Sequence, residues 1–432
     1  SGQDLSAFRR WYAQAGTPEV RVTEVWDAAA GTLKVELSQS VKPTPGQPVK
    51  HPLPIPLLCA LLDGKGGHTT EPFLHVFETA NETLELKVPP GSPRPSLSVG
   101  RDFSAPIRID RNLTRDERLA LVRAETDPFN RWDGLQSLIK DEIIALSDAS
   151  QTNPDHELVG AIAAAVRGAK DDPAYAALLT RLPEVGELFL ERQPADPVAL
   201  AAAQKKLKTA LYHALANSVS ETLQAPPPTP YHPGAEQASV RAMRTAFIGL
   251  LSASDSRDAE PALYSLYERA PNMTERLSAL RALMFIRGGA KSEAISHFEA
   301  LWKNNPLVMD KWFSVQASTG TAEDIKRLIA HPAFDLKNPN RVRSVIGAFA
   351  MQNLAAFHAP DGSGYRAVEA TILAADKVNP ALGARLITAF EQWRLLEPRA
   401  RAEAEACLRR LVEAGLSENA MDIAGRALAG DA

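Results

Sequence analysis

Basic residues recur at one position in the last third of the sequence. The dipeptide Asn-Pro opens three segments there, at residues 305–306, 338–339 and 379–380. Asn is a favoured helix N-cap and Pro suits the first helical position, so each dipeptide predicts a helix start. A cation follows in the second turn of each predicted helix: Lys311, Arg343 and Arg385.

The placement of these cations predicts a site for an anion. A positive charge near a helix start opposes the helix dipole, which raises the question of what Arg343 and its neighbour Arg341 hold. The Asn-Pro starts are 33 and 41 residues apart, about the length of a helical hairpin in a solenoid. Equivalent positions of successive repeats line one face, where guanidinium groups could receive a carboxylate. The alternative is ordinary surface ion pairing, for which Asp310 and Glu391 are nearby.

Other residues that could do chemistry lack the required spacing. HELVG at 156–160 has Gly160 where a second zinc-binding histidine would stand, so His156 and Glu157 are predicted to lie in an exposed first helical turn. Ser363 in DGSGY lies between glycines but follows no strand, which predicts a tight connection and not a nucleophile. The sequence alone therefore does not look like a complete enzyme.

The elements that position these residues differ between the two parts of the chain. Up to residue 109, alternating segments such as VRV, TLKVEL and TLELKV predict a small Ig-like antiparallel β-sandwich. From residue 110 to 432 the apolar residues recur with the spacing of helices, and Thr114 and Glu117 form a capping box at the start of this part. The helical part is interrupted at residues 225–234 by APPPTPYHPG, which predicts a loop. We predict a large all-α superhelical domain of armadillo or HEAT type.

Composition narrows the class of protein. A net charge of −4 and an isoelectric point near 6.2 argue against nucleic-acid binding. No apolar run is long enough to span a membrane, since prolines interrupt HPLPIPLLCALLD. Two distant cysteines, Cys59 and Cys407, suit a reducing compartment, so we expect a cytoplasmic protein. The chain begins without methionine, and we expect it to be a piece of a longer protein.

Five stretches together resemble the C-terminal half of bacterial members of the aminopeptidase N family, which are zinc metallopeptidases of the gluzincin type. They occur in the expected order, and the resemblance covers essentially all 432 residues. The stretches are DLSAFRRWYAQAGTPEV, DPFNRWDGLQSL, NPLVMDKWF, NPNRVRSVIGAFA and FHAPDGSGY. The resemblance implies that an N-terminal β domain and a thermolysin-like catalytic domain precede the β-sandwich and the superhelix. The implied H-E-x-x-H zinc motif belongs to that catalytic domain and does not occur in this sequence.

The family implies removal of N-terminal residues from peptides, with zinc in the absent domain and no cofactor in this chain. The superhelix is expected to form the wall of a chamber for peptides and to contact the protein's own preceding domains. On the matching motifs, Arg343 and Arg385 are expected to bind the C-terminal side of the peptide. Ala381 departs from the polar residue expected one turn before Arg385.

Two other functions stay open on the sequence. The first is a stand-alone helical-repeat module that recruits a partner protein. The second is a self-sufficient hydrolase that uses Ser363 or His358. An upstream H-E-x-x-H domain in the coding sequence would separate the aminopeptidase from both alternatives.

Overall fold

A computed structural model describes residues 4–64 and 67–429 of the chain. It divides into two compact units, Ser1–Leu138 and Ile139–Ala432. Within the described part, no helix combines the length and the apolar character that crossing a membrane would need.

The first unit contains two β-sheets, with strand orders β5-β2-β1-β7 and β4-β3-β6. The strands are β1 (Glu19–Asp27), β2 (Thr32–Ser40), β3 (Ile55–Leu62), β4 (Phe73–Phe77), β5 (Asn81–Lys87), β6 (Ser96–Val99) and β7 (Arg108–Arg111). The short α1 (Arg10–Ala13) precedes them. Residues from both sheets share one apolar core, as in a sandwich.

Alternation along the strands explains this core and confirms the predicted strands. Leu33, Val35 and Leu37 of β2 are buried, whereas Lys34 and Glu36 between them are exposed. The four-stranded sheet closes with β7, which pairs in parallel with β1, while the β1–β2 and β2–β5 pairings are antiparallel. The Ig-like sandwich predicted from the period of two is therefore present.

The proline-rich stretch HPLPIPLLCALLD forms the middle strand of the smaller sheet. β3 pairs with β4 from Ile55 to Cys59 and with β6 only from Cys59 onward. Pro56 therefore lies in the half of the strand that pairs on one side, where a missing N–H is tolerated.

Helix α2 (Arg115–Ala124) begins at the predicted capping box, with Thr114 and Glu117 each bonding the backbone of the other. It packs on β6, and the buried Glu125 that follows it pairs with Arg101 at 2.7 Å. The compact unit that holds the sandwich therefore extends into α3 (Pro128–Ser147). The domain boundary at residues 109 and 110 stays a prediction.

The second unit is helical. Its helices are α4 (His156–Gly168), α5 (Pro173–Leu179), α6 (Pro197–Gln224), α7 (Ala235–Leu251), α8 (Ala259–Arg269), α9 (Met273–Leu283), α10 (Ala290–Trp302), α11 (Pro306–Ala317), α12 (Ala322–Ile329), α13 (Pro339–Val342), α14 (Ala348–Gln352), α15 (Leu354–Phe357), α16 (Ser363–Val378), α17 (Pro380–Ile387), α18 (Pro398–Glu413) and α19 (Glu418–Ala429). Consecutive helices pack together, as α8 does on α9 and α16 on α17. Contacts such as α7 with α9 and α17 with α19 link alternate helices, which is typical of a helical-repeat array.

The three Asn-Pro dipeptides begin helices as predicted. Asn305, Asn338 and Asn379 are the N-caps of α11, α13 and α17, and a proline stands in the first turn of each helix. The Asn305 side chain accepts the N–H of Val308 at 3.3 Å, which supplies a partner for an otherwise unpaired donor. These caps fix where each cation-bearing helix starts.

Candidate functional site

The three predicted cations lie on neighbouring helices of the second unit. Lys311 belongs to α11 and Arg385 to α17, while Arg343 opens a π-helical turn, Arg343–Gly347, between α13 and α14. This turn packs against both α11 and α17. All three side chains are exposed to solvent. The described structure therefore places the cations on adjacent elements, each available to a ligand.

The π turn is a local departure from the α-helical period, and it begins at Arg343. Turns of this kind insert a residue into a helix and are frequent at functional sites. The Arg343 guanidinium donates from Nε to the Pro339 carbonyl at 3.3 Å and from Nη2 to the Asn340 side-chain oxygen. Both acceptors are neutral, so they restrain the guanidinium without balancing its charge.

Lys311 and Arg385 keep their charges uncompensated as well. Neither side chain makes a hydrogen bond or an ion pair with any residue of the described ranges 4–64 and 67–429. Asp310, which the sequence offers as a surface partner, is instead bonded to Arg341. Lys311 therefore does not form the surface ion pair with Asp310 that the sequence offered as the alternative.

Arg341 has a different environment from that of Arg343. It is buried, and its Nε donates to Asp310 Oδ1 at 2.7 Å. Its terminal nitrogens donate to the carbonyls of Ala333 and of Pro306, and its guanidinium carbon lies 4.6 Å from the centre of the Phe313 ring. The negative group that Arg341 holds is therefore internal, and the residue supports the packing of α11 against α13.

The residues of the hydrolase alternative do not form a catalytic pair. His358 is buried, and its Nδ1 lies 2.7 Å from the hydroxyl oxygen of Tyr365. Burial lowers the pKa of His358 to about 3, so the ring is neutral at physiological pH. Ser363 starts α16, and its backbone N–H donates to Asp361 Oδ1 at 2.9 Å. This arrangement is that of a helix start beside an aromatic core.

Zinc, which the resemblance implies, would need several ligands close together. The residues that the structure describes contain no group of three or more His, Cys, Asp or Glu side chains that could hold a metal ion. His156 and Glu157 occupy the exposed first turn of α4, as predicted, with Asp155 as the N-cap. The described residues thus do not fit a zinc site.

Sequence reasoning missed two features of the helical unit. The π turn at Arg343 has no sequence signature, because it depends on how α13 and α14 pack on their neighbours. The buried pair formed by Arg244 and Glu275 also went unrecognised. These two residues are 31 positions apart, and no helical or strand spacing connects them.

Comparison with known proteins assigns both parts of the chain to described families. Residues 16–112 match "Domain of unknown function (DUF3458) Ig-like fold", and residues 115–429 match "Domain of unknown function (DUF3458_C) ARM repeats". The chain is 32% identical to aminopeptidase N of Escherichia coli (strain K12) over 427 residues, which is 95% of this chain and 49% of that protein. It is 35% identical to aminopeptidase N of Caulobacter vibrioides, over 99% of this chain and 50% of that protein.

Solved structures include a similar protein of about twice the length. The crystal structure of Legionella pneumophila aminopeptidase A in complex with aspartic acid matches with a TM-score of 0.80 and 25% sequence identity. The match covers 100% of this chain and 51% of that chain. The chain therefore spans about half the length of the curated relatives and of the solved structure that it matches.

Proposed function

Because the chain belongs to the family of paired DUF3458 Ig-like and DUF3458_C ARM-repeat domains, homologous to the C-terminal region of aminopeptidase N, we propose that it is the non-catalytic half of an aminopeptidase. Such an enzyme removes N-terminal amino acids from peptides. The observation that carries this proposal is the similarity itself, which extends over nearly all of this chain and over half of each relative.

The helical unit is proposed to form one wall of the chamber that receives the peptide, and to act as its lid. Arg343 and Arg385 bind the peptide at its C-terminal side, where a free carboxylate is available. A guanidinium presents two parallel N–H donors that match the two oxygens of a carboxylate. The exposure of both arginines and the neutral partners of Arg343 support this role.

Zinc is assigned to the preceding domain of the longer protein, because the described residues of this chain offer no suitable ligand group. The proposed partners are the protein's own N-terminal and catalytic domains together with peptide substrates. We also propose a cytoplasmic location, which is supported by two cysteines that are buried and unpaired.

The test compares two proteins, this chain alone and the same chain with the coding sequence that precedes it. Zinc content and release of an amino acid from an aminoacyl reporter are measured on both. We expect the longer protein to contain about one zinc per chain and to be active, and the shorter one to lack both properties. Tightly bound zinc or activity in this chain alone would overturn the proposal. An upstream sequence without a zinc-peptidase domain would favour the stand-alone interaction module.

A further inference from the structure

A cleft of about 870 Å³ opens among helices α6, α7, α8 and α9, separate from the cations of α11 to α17. Its volume falls within the range of roughly 300–1,000 Å³ that is usual for small-ligand sites. Its large apolar lining residues, each half-buried, are Tyr212, Leu223, Leu251 and Leu266. A ligand that fills this cleft therefore needs an apolar part.

One wall of the cleft carries Arg244, whose side chain is only 4% exposed. Its Nε donates to Glu275 Oε2 at 2.8 Å, and its Nη1 donates to the carbonyls of Thr222 at 2.6 Å and Ala225 at 2.9 Å. The remaining nitrogen, Nη2, has no acceptor among the residues that the structure describes. Nη2 is not one of the fully buried atoms that lack a partner, so it keeps some contact with solvent and is accessible to a ligand that brings an acceptor.

The charge at this wall determines which acceptor fits. Glu275 is also buried, and it already balances the positive charge of Arg244. Its other oxygen accepts from the side-chain nitrogen of Asn272 at 3.0 Å, so the carboxylate is held in place. A ligand carboxylate beside Arg244 would be repelled by Glu275, whereas a neutral carbonyl oxygen would not be. Arg269 and Asp258 also line the cleft, so its two cations and two carboxylates balance in formal charge. The acceptor that suits such a lining is therefore a neutral amide.

We propose that this cleft binds an apolar amide, of the kind presented by a short stretch of peptide with an aliphatic side chain. The amide carbonyl accepts a hydrogen bond from Arg244 Nη2. The aliphatic group lies against Tyr212, Leu223 and Leu266. This binding is independent of the carboxylate site proposed at Arg343 and Arg385, and it requires neither zinc nor a second domain.

The test uses this chain as it stands and N-acetyl-leucinamide as the probe, with binding followed by NMR titration. We expect saturable binding with a dissociation constant in the millimolar range, as for other small ligands. Ala262 is exposed and lines the cleft, and Ala262→Trp adds an indole there while leaving Arg244 and Glu275 themselves unchanged. This variant is expected to weaken binding by about tenfold or more. Ala202→Trp is the matched control, because Ala202 is exposed on α6 outside the cleft.

A second pair of probes tests the charge of the acceptor. Isocaproamide and isocaproate have the same shape, but only the latter carries a negative charge. We expect isocaproamide to bind about tenfold more tightly, because Glu275 repels the acid. Equal binding of the two, or tighter binding of isocaproate, would overturn the choice of a neutral amide. Absence of saturable binding, or an Ala262→Trp variant that binds like the wild type, would overturn the site itself.

Discussion

Arg341 donates from Nε to Asp310 Oδ1 at 2.7 Å, and both side chains are largely buried. Arg343 is only two residues further on and is exposed. Two positions along an α-helix correspond to a rotation of about 200°, so Arg341 in α13 and Arg343 at the start of the π turn face different environments. The first arginine joins α11 to α13, whereas the second is exposed and bonds only neutral acceptors among the described residues.

This difference predicts unequal effects on stability. Arg341→Ala leaves Asp310 buried without its counterion, which is expected to reduce the free energy of unfolding by about 3–5 kcal/mol. Arg343→Ala removes an exposed side chain, so it is expected to change the free energy of unfolding by less than about 0.5 kcal/mol. Urea denaturation of the two variants measures both values. Equal losses would contradict the assignment of separate roles.

The proposed carboxylate site predicts a change in substrate affinity. In the longer protein, Arg343→Ala is expected to raise KM for tripeptides by the equivalent of a hydrogen bond to a charged group, about 1.5–3 kcal/mol. Tripeptides blocked as C-terminal amides lack the carboxylate and should be affected less. Arg409→Ala is the control, because Arg409 is 60% exposed and pairs with Glu405 of its own helix. Unchanged KM values for Arg343→Ala would count against the site.

A double variant tests whether two arginines share one ligand. If Arg343 and Arg385 hold the same carboxylate, removal of both should cost less binding free energy than the sum of the single losses. Residues that do not share a ligand or a network normally give additive losses, within about 0.5 kcal/mol. The comparison needs KM for the same tripeptide with the two single variants and the double variant. Strict additivity would place the arginines at separate sites.

His358 predicts a pH dependence of stability. Its pKa is lowered by burial from 6.5 to about 3, so on acidification the unfolded chain takes up this proton before the folded chain does. Stability is therefore fully present above pH 6.5 and is lost as the pH falls, at about 1.4 kcal/mol per pH unit for one proton. Between pH 6.5 and 5 the wild type should lose about 1.6 kcal/mol more than His358→Gln, because the unfolded histidine is already half-protonated at pH 6.5. Urea denaturation at both pH values measures the difference, and identical pH slopes would contradict the prediction.

The two cysteines are predicted to be unreactive in the folded protein. Burial raises the pKa of both Cys59 and Cys407 to about 12, so the reactive thiolate is scarce at neutral pH. A thiol reagent such as Ellman's should therefore react slowly with the native chain and rapidly with 2 thiols per chain in urea. Fast labelling of either cysteine under native conditions would show that its surroundings open readily.

Much of the architecture followed from local patterns. The capping box at Thr114 and the Asn-Pro helix starts were predicted, because each depends on residues close together in the chain. Pro56 inside a strand was less apparent, because its tolerance depends on which side of β3 is paired.

The candidate sites were only partly predictable. The sequence by itself determined that cations stand in the second turns of three helices, because caps and helical period are local properties. Only the tertiary structure decided that Asp310 belongs to Arg341, that a π turn begins at Arg343, and that Arg244 reaches Glu275 from another helix. The physical reason is that ion pairs and clefts depend on the packing of distant segments, which composition and periodicity do not specify.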